Sequence, residues 1–181
     1  MRLAAIACRV FTRELSAAVA KCAHPVEVSW LPQGLHDTPD LLRARINATI
    51  DAIERVDAEA PARRRLDAIV LCYGLCGGGL DGVRAGRLPL VVPRADDCIG
   101  ILLGSQKRYL DYLAARAGIY WYTPGWIEYA DTPSRVYYDA KLRDYTARFG
   151  AENAQWLLEQ ENTWIGAYES GIYIAPPACP S

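Results

Sequence analysis

The sequence predicts a single-domain, Rossmann-like α/β fold, with an open parallel sheet, helices on both faces and a mostly helical C-terminal part. Three observations predict it. Short apolar segments alternate with segments of helical periodicity. Residues 66–74, "LDAIVLCYG", form a nearly continuous apolar run, as is typical of a central parallel strand covered on both faces. The length of 181 residues suits one domain with a sizeable core, so we assign residues 1–181 to one α/β domain.

Four further strands are expected from their apolar or β-branched character. They cover residues 3–8, 25–31, 88–98 and 118–126. Pro93 closes the fourth strand, and we expect a turn at Pro124-Gly125 after the fifth. In this order of elements, right-handed crossovers place the strands parallel, and ligands bind outside their carboxyl ends.

Helical periodicity fills the segments between the strands. Helices are expected over about residues 12–21, from Pro39 onward, from Asp96 or Asp97 to about Leu113, and across residues 133–165. The second is the clearest, since Thr38 is a good N-cap and Pro39 suits the first helical position. Its core face carries Leu42, Ile46, Ile50 and Ile53. In the last segment the core candidates are Tyr138, Leu142, Tyr145, Phe149, Trp156 and Leu157.

The composition limits the classes of partner. The chain is 51% hydrophobic and 23% charged, with a formal net charge of −1, so no electrostatic argument favours nucleic acid or an anionic membrane. The N-terminal "MRLAAIAC" is apolar over too few residues for a signal peptide or a spanning helix, so we expect a cytoplasmic protein. The 11 tyrosines and 5 tryptophans would suit a homodimer interface.

The six cysteines carry most of the chemical information. Thiols stay reduced in the cytoplasm, so these residues are read as metal ligands, catalytic thiols or core residues rather than as disulfides. Cys72 lies inside a predicted strand and is interpreted as a core residue.

Four candidate ligands each follow a different predicted strand. Cys8 ends the first, His36 follows the second, Cys76 the third and Cys98 the fourth. Because parallel strands end at one edge of a sheet, these four residues are expected to meet there, although no contiguous zinc-finger motif is present. Each cysteine taken singly could instead be a small core residue, and His36 could be a plain loop residue.

This set of side chains leaves several chemistries open. Three thiolates and an imidazole could close a tetrahedral zinc site, whereas three thiolates alone could hold an iron–sulfur cluster with one iron open. His36 is therefore either a ligand or an acid/base group. A metal-free cysteine enzyme, with Cys98 or Cys76 as nucleophile and His36 as base, leaves two cysteines unexplained.

The glycines after Cys76 do not form a phosphate-binding motif. The segment "CGGG" is neither G-x-G-x-x-G nor G-x-x-x-x-G-K-[ST], and the spacing of Cys72 and Cys76 is not that of a thioredoxin-type pair. Gly77 and Gly78 instead permit positive φ and a close backbone approach, with N–H groups that can donate to a thiolate or an anion. We take both as candidate cofactor-binding positions.

Two residues near the later strands complete the candidate site. Asp97, beside Cys98, is a candidate acid/base group, with the cap of the following helix as its alternative role. A helix starting there would lower the thiol pKa of Cys98 through its dipole. In "TPGWIEY" we expect Trp126 and Glu128 on a loop over the same edge, where the indole suits a flat ligand or serves only packing.

Several motifs in order resemble a prokaryotic family known only as a domain of unknown function. They are "LPQGLHDTPDLL", "YGLCGGG", "PRADDCIGILLGS" and "YWYTPGWIE", and the resemblance covers roughly residues 3–130. It implies that Cys8, His36, Cys76 and Cys98 belong to the family pattern. Members are often encoded near corrinoid-dependent methyltransferases, which implies a one-carbon role, but the family has no assigned activity.

Three functional hypotheses follow. The first is zinc-dependent thiol or methyl-transfer chemistry, in which thiolate-bound zinc activates a substrate thiol. The second is an iron–sulfur protein that transfers electrons or serves corrinoid proteins as an accessory factor. The third is the metal-free cysteine enzyme. The expected partner is a small-molecule substrate or a corrinoid protein.

Overall fold

The structure of the protein is a computed structural model that describes residues 1–175. Its strands are β1 (Leu3–Cys8), β2 (Val26–Leu31), β3 (Ala68–Cys72), β4 (Leu90–Val91), β5 (Ile119–Tyr122) and β6 (Ser170–Tyr173). Its α-helices are α1 (Thr12–Lys21), α2 (Pro39–Glu59), α3 (Cys98–Leu102), α4 (Gln106–Ala115), α5 (Pro124–Tyr129), α6 (Arg135–Phe149) and α7 (Ala151–Glu161). Within residues 1–175, no helix is long and apolar enough to cross a membrane.

The main sheet has the strand order β2-β1-β3-β4, and every neighbouring pair is parallel. The predicted fold class, an open parallel α/β sheet, is thus confirmed. The chain passes from β1 to β2 on one side and then crosses to β3 on the other side of β1. The strand order therefore reverses between β1 and β3, which is the position where open α/β sheets bind ligands outside their carboxyl ends.

The core lies between this sheet and α2. Leu42, Ile46 and Ile50 recur at helical spacing on α2 and are buried together with Ile6 of β1 and Ile69 of β3. Deep burial of such aliphatic side chains contributes about 1.5–3 kcal/mol each. The long helix and the two central strands therefore form the rigid base from which the strand-end loops project.

The later strands differ from the prediction. β4 keeps only Leu90 and Val91, since Pro89 and Pro93 flank it and cannot donate a ladder hydrogen bond. β5 does not join the main sheet but pairs in parallel with β6 to form a second, two-stranded sheet. The carbonyl of Gly118 accepts the N–H groups of Glu169 and Ser170 at 2.7 and 3.2 Å, which fixes this pairing.

Two helix boundaries also differ from those expected. The helix predicted from about residue 96 to 113 is two helices, because Gly104 adopts φ 70° and Ser105 caps α4 by accepting the N–H of Arg108. The turn predicted at Pro124-Gly125 is the first turn of α5, whose N-cap Thr123 accepts the N–H of Trp126 at 3.0 Å.

The C-terminal helices form a hairpin whose core face was partly mispredicted. Phe149 and Trp156 are exposed, at 44% and 60%, whereas the fully buried residues of α7 are Ala154 and Leu158. The helix pair breaks at Gly150, with φ 81°, which shifts the helical phase between α6 and α7. A single periodicity run through residues 133–165 therefore selects the wrong face.

Candidate functional site

A cavity of about 360 Å³ opens at the carboxyl edge of the main sheet. Segments that follow all four of its strands line this cavity, as expected for the point where strand order reverses. Among the lining residues are seven that the sequence singled out: Cys8, His36, Cys76, Gly77, Asp97, Cys98 and Trp126. Gly78 belongs to the same turn as Gly77 but is not part of the lining.

Cys8 is the last residue of β1 and is only 9% exposed. Burial raises the pKa of its thiol, and hydrogen bonding from the Val10 backbone offsets only part of that effect. The buried Tyr73 hydroxyl approaches this thiol, but the contact falls short of ordinary hydrogen-bond geometry, and Tyr73 has no other partner among residues 1–175. A buried polar atom without a partner calls for an explanation, and a group bound beside the thiol would supply one.

Cys76 lies in the turn after β3 in a strained conformation. Its φ of 46° makes it the one non-glycine residue with positive φ in the described chain. Its N–H donates to the Asp96 carbonyl at 2.9 Å, and the N–H of Leu75 donates to the Ala95 carbonyl at 3.0 Å. These main-chain bonds tie the turn to the segment before α3. Strain of this kind costs about 1–3 kcal/mol and clusters at functional sites.

Cys98 is the first residue of α3, so the predicted position at a helix start is found. The expected lowering of its thiol pKa is not found. Burial instead raises that pKa well above its usual range, and the charges of Cys76 and Asp97 raise it further. Desolvation of a thiolate outweighs the dipole of a five-residue helix. Burial likewise raises the pKa of Cys76, to about 11, with contributions from Cys8 and Asp97.

These mutual effects mean that the three thiols lie close enough to repel one another as thiolates. The described lining contains no lysine or arginine that could neutralise them. In residues 1–175, however, no set of three or more histidine, cysteine, aspartate or glutamate side chains stands in a geometry ready to hold a metal ion. The thiols converge on one region of the cavity without forming a closed coordination shell.

His36 lies in a 3-10 turn, Leu35–Asp37, directly after β2. Its side chain is 40% exposed at the mouth of the cavity, and its Nε2 lies 3.3 Å from Oδ1 of Asp37. The ring centre is 6.4 Å from that of Trp126, so the two rings stand on the same rim. This exposed position suits proton exchange with solvent better than it suits a buried metal ligand.

Asp97 has the capping role that the sequence left open as its alternative. Its Oδ1 accepts the N–H groups of Ile99 at 2.8 Å and Gly100 at 3.2 Å. It also approaches the Tyr109 hydroxyl, whose pKa burial and Asp97 together raise. The carboxylate therefore holds α3, and with it Cys98, in place at the cavity wall.

Trp126 belongs to α5 rather than to a loop, and its indole faces the cavity. Its Nε1–H donates to the Tyr120 hydroxyl at 2.9 Å. Glu128, expected over the same edge, does not line the cavity and forms an ion pair with Arg13 of α1. Gly125 contacts the Val10 carbonyl so closely that a Cβ there would clash, and this contact sets α5 against the turn that follows Cys8.

Several lining residues escaped the sequence reasoning: Phe11, Gln33, Tyr73, Tyr120, Trp121 and Tyr168. Gln33 follows β2 directly, so the strand-end rule that selected His36 could also have selected it. Tyr73 follows β3 in the same way. Tyr168 carries no such signal, because it reaches the cavity only through the pairing of β5 with β6.

The fold and site together define an α/β protein with a cavity at the switch point of a parallel sheet. The chain belongs to the family described as "Protein of unknown function (DUF1638)", whose model matches residues 30–179. A search of curated proteins gives no match. One solved structure, from Clostridium difficile 630 and described provisionally as a transcriptional regulator, is similar at 12% identity and a TM-score of 0.28. The match covers 100% of this chain and 51% of that one, so this chain spans about half its length.

Proposed function

We propose that the protein binds a metal ion, zinc, through the thiolates of Cys8, Cys76 and Cys98 and uses it for thiol or methyl-transfer chemistry in the adjoining cavity. The observation that carries the proposal is the convergence on one cavity of three thiols, one buried and two partly buried, from the segments that end or follow three adjacent strands. The strained backbone of Cys76 supports it, because non-glycine residues at positive φ cluster at functional sites.

The charges around the thiols fit a cation. Burial raises the pKa of all three thiols, the charges of neighbouring cysteines raise those of Cys76 and Cys98 further, and no basic side chain of the described lining relieves that repulsion. A divalent cation would do so and would favour the thiolate forms. Zinc accepts thiolate ligands and keeps an open position in catalytic sites, which the cavity would supply.

In this function the zinc ion would act as a Lewis acid that holds a substrate thiol as its thiolate. His36 receives the thiol proton and passes it to solvent, helped by its exposed position beside Asp37. The sulfur electron pair then forms a bond to the methyl carbon of a donor, and the electron pair of the broken bond leaves with the donor group. The aromatic side chains that line the cavity, Trp126 among them, exclude water from the reacting groups.

A second candidate is an iron–sulfur cluster held by the same cysteines, in electron transfer or as an accessory to corrinoid proteins. The observation that favours it is the exposure of His36, which leaves the three thiols as the more buried candidate donors. Three cysteine ligands leave one iron of a cubane cluster open.

Anaerobic purification followed by metal and sulfide analysis tests the proposal. We expect about one zinc per chain and no visible colour in the wild type. Cys76→Ala and Cys98→Ala should lose the metal, whereas Cys22→Ala, at an exposed cysteine outside the cavity, should retain it.

A brown protein that contains iron and sulfide would show that the site holds an iron–sulfur cluster instead of zinc. A colourless protein that takes up no zinc, even when zinc is supplied under reducing conditions, would remove the metal site altogether. Retention of metal by both the Cys76→Ala and Cys98→Ala variants would move the site elsewhere.

A further inference from the structure

We propose that the cavity beside the cysteine thiols binds a small organic cation whose charge is surrounded by methyl groups, a quaternary ammonium or a tertiary sulfonium. The inference deepens the proposed function by naming the ligand class of the same cavity, and it rests on that function for the negative charge of the metal-bound thiolates. Both ions of this class lack donor hydrogens on the charged atom, so they are recognised through their methyl surfaces.

The first argument is the aromatic character of the wall. Six aromatic side chains line the cavity: Phe11, Tyr73, Tyr120, Trp121, Trp126 and Tyr168. Aromatic faces carry negative electrostatic potential and attract cations, most strongly in tryptophan. Such a density of rings around a space of about 360 Å³ matches an aromatic cage for a small ligand.

The second argument is that these rings are held in place without a ligand. Tyr120 accepts the indole N–H of Trp126 at 2.9 Å, and Tyr168 packs edge-on against Tyr120 with ring centres 5.1 Å apart. Trp164 supports both tyrosines from behind at 5.8 Å. A preorganised wall loses little conformational entropy on binding, so its attraction for a cation is retained as affinity.

The third argument is the sign of the charge. The described lining has no lysine or arginine, and its ionisable groups are the three thiols, Asp97, His36 and the tyrosines. Three thiolates bound to one divalent cation keep a net negative charge. The cavity therefore favours a cationic ligand and disfavours phosphates and other anions.

Gln33 adds a polar contact for the rest of the ligand. Both the Nε2 and the Oε1 atoms of its carboxamide are buried and lack a hydrogen-bond partner among residues 1–175. An unsatisfied buried amide costs free energy, and a bound hydroxyl or carboxylate group would relieve that cost. A cation with a short polar tail satisfies the aromatic wall and this amide together.

Choline and its uncharged carbon isostere, 3,3-dimethylbutan-1-ol, are matched probes because they differ only in the charge at the methylated centre. Isothermal titration of the metal-loaded protein should show about tenfold tighter binding of choline. The Trp126→Leu variant should lose about tenfold in choline affinity, and Trp126→Phe, which keeps a ring, should lose less. The matched control is Trp156→Leu, at an exposed residue of α7 outside the cavity, which should bind as the wild type does.

Equal affinity for the two probes, or binding of neither, would overturn the inference and leave an apolar pocket. Metal content measured on the same samples reports separately on the proposed metal site, so the two failures are distinguishable. If Trp126→Leu loses its folded circular dichroism spectrum, Gln33→Leu serves instead and should weaken choline binding through the hydroxyl group. An unchanged choline affinity in Gln33→Leu would count against the assigned binding mode.

Discussion

The buried polar groups at the two ends of the main sheet differ in their hydrogen bonding. At the amino ends of the strands, Asp57 is 3% exposed and accepts the N–H of Leu66 at 2.6 Å together with a guanidinium hydrogen bond from Arg87. Glu54 accepts the N–H of Leu88 at 2.7 Å in the same way. Both carboxylates thereby anchor the chain just before it enters β3 and β4.

At the carboxyl ends, by contrast, polar atoms are buried without partners. The Tyr73 hydroxyl and the Gln33 amide lack hydrogen bonds, and three thiols crowd one another where no basic group lines the cavity. Buried polar atoms without partners also occur elsewhere, at Arg2, Glu14, Asn162 and Ser170. Within residues 1–175, it is at the carboxyl edge that such atoms lie together with clustered thiols around a cavity. One end of the sheet therefore stabilises the fold, and the other carries the site at which we propose that a metal ion and a ligand bind.

The largest expected effect on stability is that of a substitution at Gly125, where α5 packs against the turn that follows Cys8. A Gly125→Ala substitution would drive a methyl group into the Val10 carbonyl, so we expect a loss of about 3 kcal/mol or more in the free energy of unfolding. Gly166→Ala is the matched control, since a Cβ there meets nothing within 4 Å. Urea denaturation of both variants checks this; equal midpoints would mean that α5 moves freely against the Val10 turn.

At the stabilising end, Asp57→Asn should cost about 2 kcal/mol, because the buried carboxylate is replaced by an amide that cannot serve both the Leu66 N–H and Arg87. Asp51→Asn, on the exposed face of the same helix, is the control and should change the midpoint little. Metal content should be normal in both variants. A loss of metal in Asp57→Asn would break the separation of the two ends.

Asp57, at the amino ends of the strands, should make the free energy of unfolding depend on pH. Burial alone would raise the pKa of Asp57, but the hydrogen bonds of Leu66 and Arg87 outweigh it and hold that pKa below its usual range. A lowered carboxylate pKa gives stability that is complete above the ordinary pKa of about 3.9 and is lost as the pH falls through the folded value. The wild type should therefore approach the stability of Asp57→Asn between about pH 5 and pH 3. A constant difference in urea midpoint over that range would contradict this.

At the binding end, a pair of variants tests the strain at Cys76. In metal-free protein, Cys76→Gly should be more stable than Cys76→Ala by about 1 kcal/mol, because only glycine adopts φ 46° without cost. The order should reverse at Cys72, inside β3, where Cys72→Gly should be the less stable variant. Thermal unfolding of the four proteins measures both differences.

The smallest expected effect is that of Cys72→Ala. Burial raises the pKa of this thiol, as it does for the other three cysteines near it, but Cys72 does not line the cavity. Its loss should cost about 1 kcal/mol or less and leave the metal content of the protein unchanged. A fall in bound metal would extend the proposed site back into the strand.

The arrangement of the carboxyl edge was largely accessible from the sequence, because apolar runs locate parallel strands and parallel strands end together. That reasoning placed Cys8, Cys76 and Cys98 on one edge, while their role as ligands stays a proposal. The aromatic wall was not accessible in this way. Tyr168 approaches through the four-residue β6, a segment too short and mixed for its pairing with β5 to be read from periodicity.

The prediction of the core face in the helical C-terminal part was partly wrong for a related reason. Periodicity predicts a buried face only where one helix continues in phase, and Gly150 resets that phase. The candidate residues whose positions were predicted correctly thus lie on loops fixed by the central sheet, where order along the chain translates directly into position.

The two hydrogen bonds that join the turn at Leu75 and Cys76 to the segment at Ala95 and Asp96 use main-chain atoms alone. These two bonds, which help to set Cys76 beside Cys98, do not use the side chains of those four positions. Gly74 is constrained, since a Cβ there would lie 2.5 Å from the Asp97 backbone, and Gly79 is constrained by a Leu42 side-chain carbon 2.6 Å away. For the metal site proposed here, replacing sulfur donors at this edge by imidazole or carboxylate donors should therefore change the metal preference while the main-chain frame is kept.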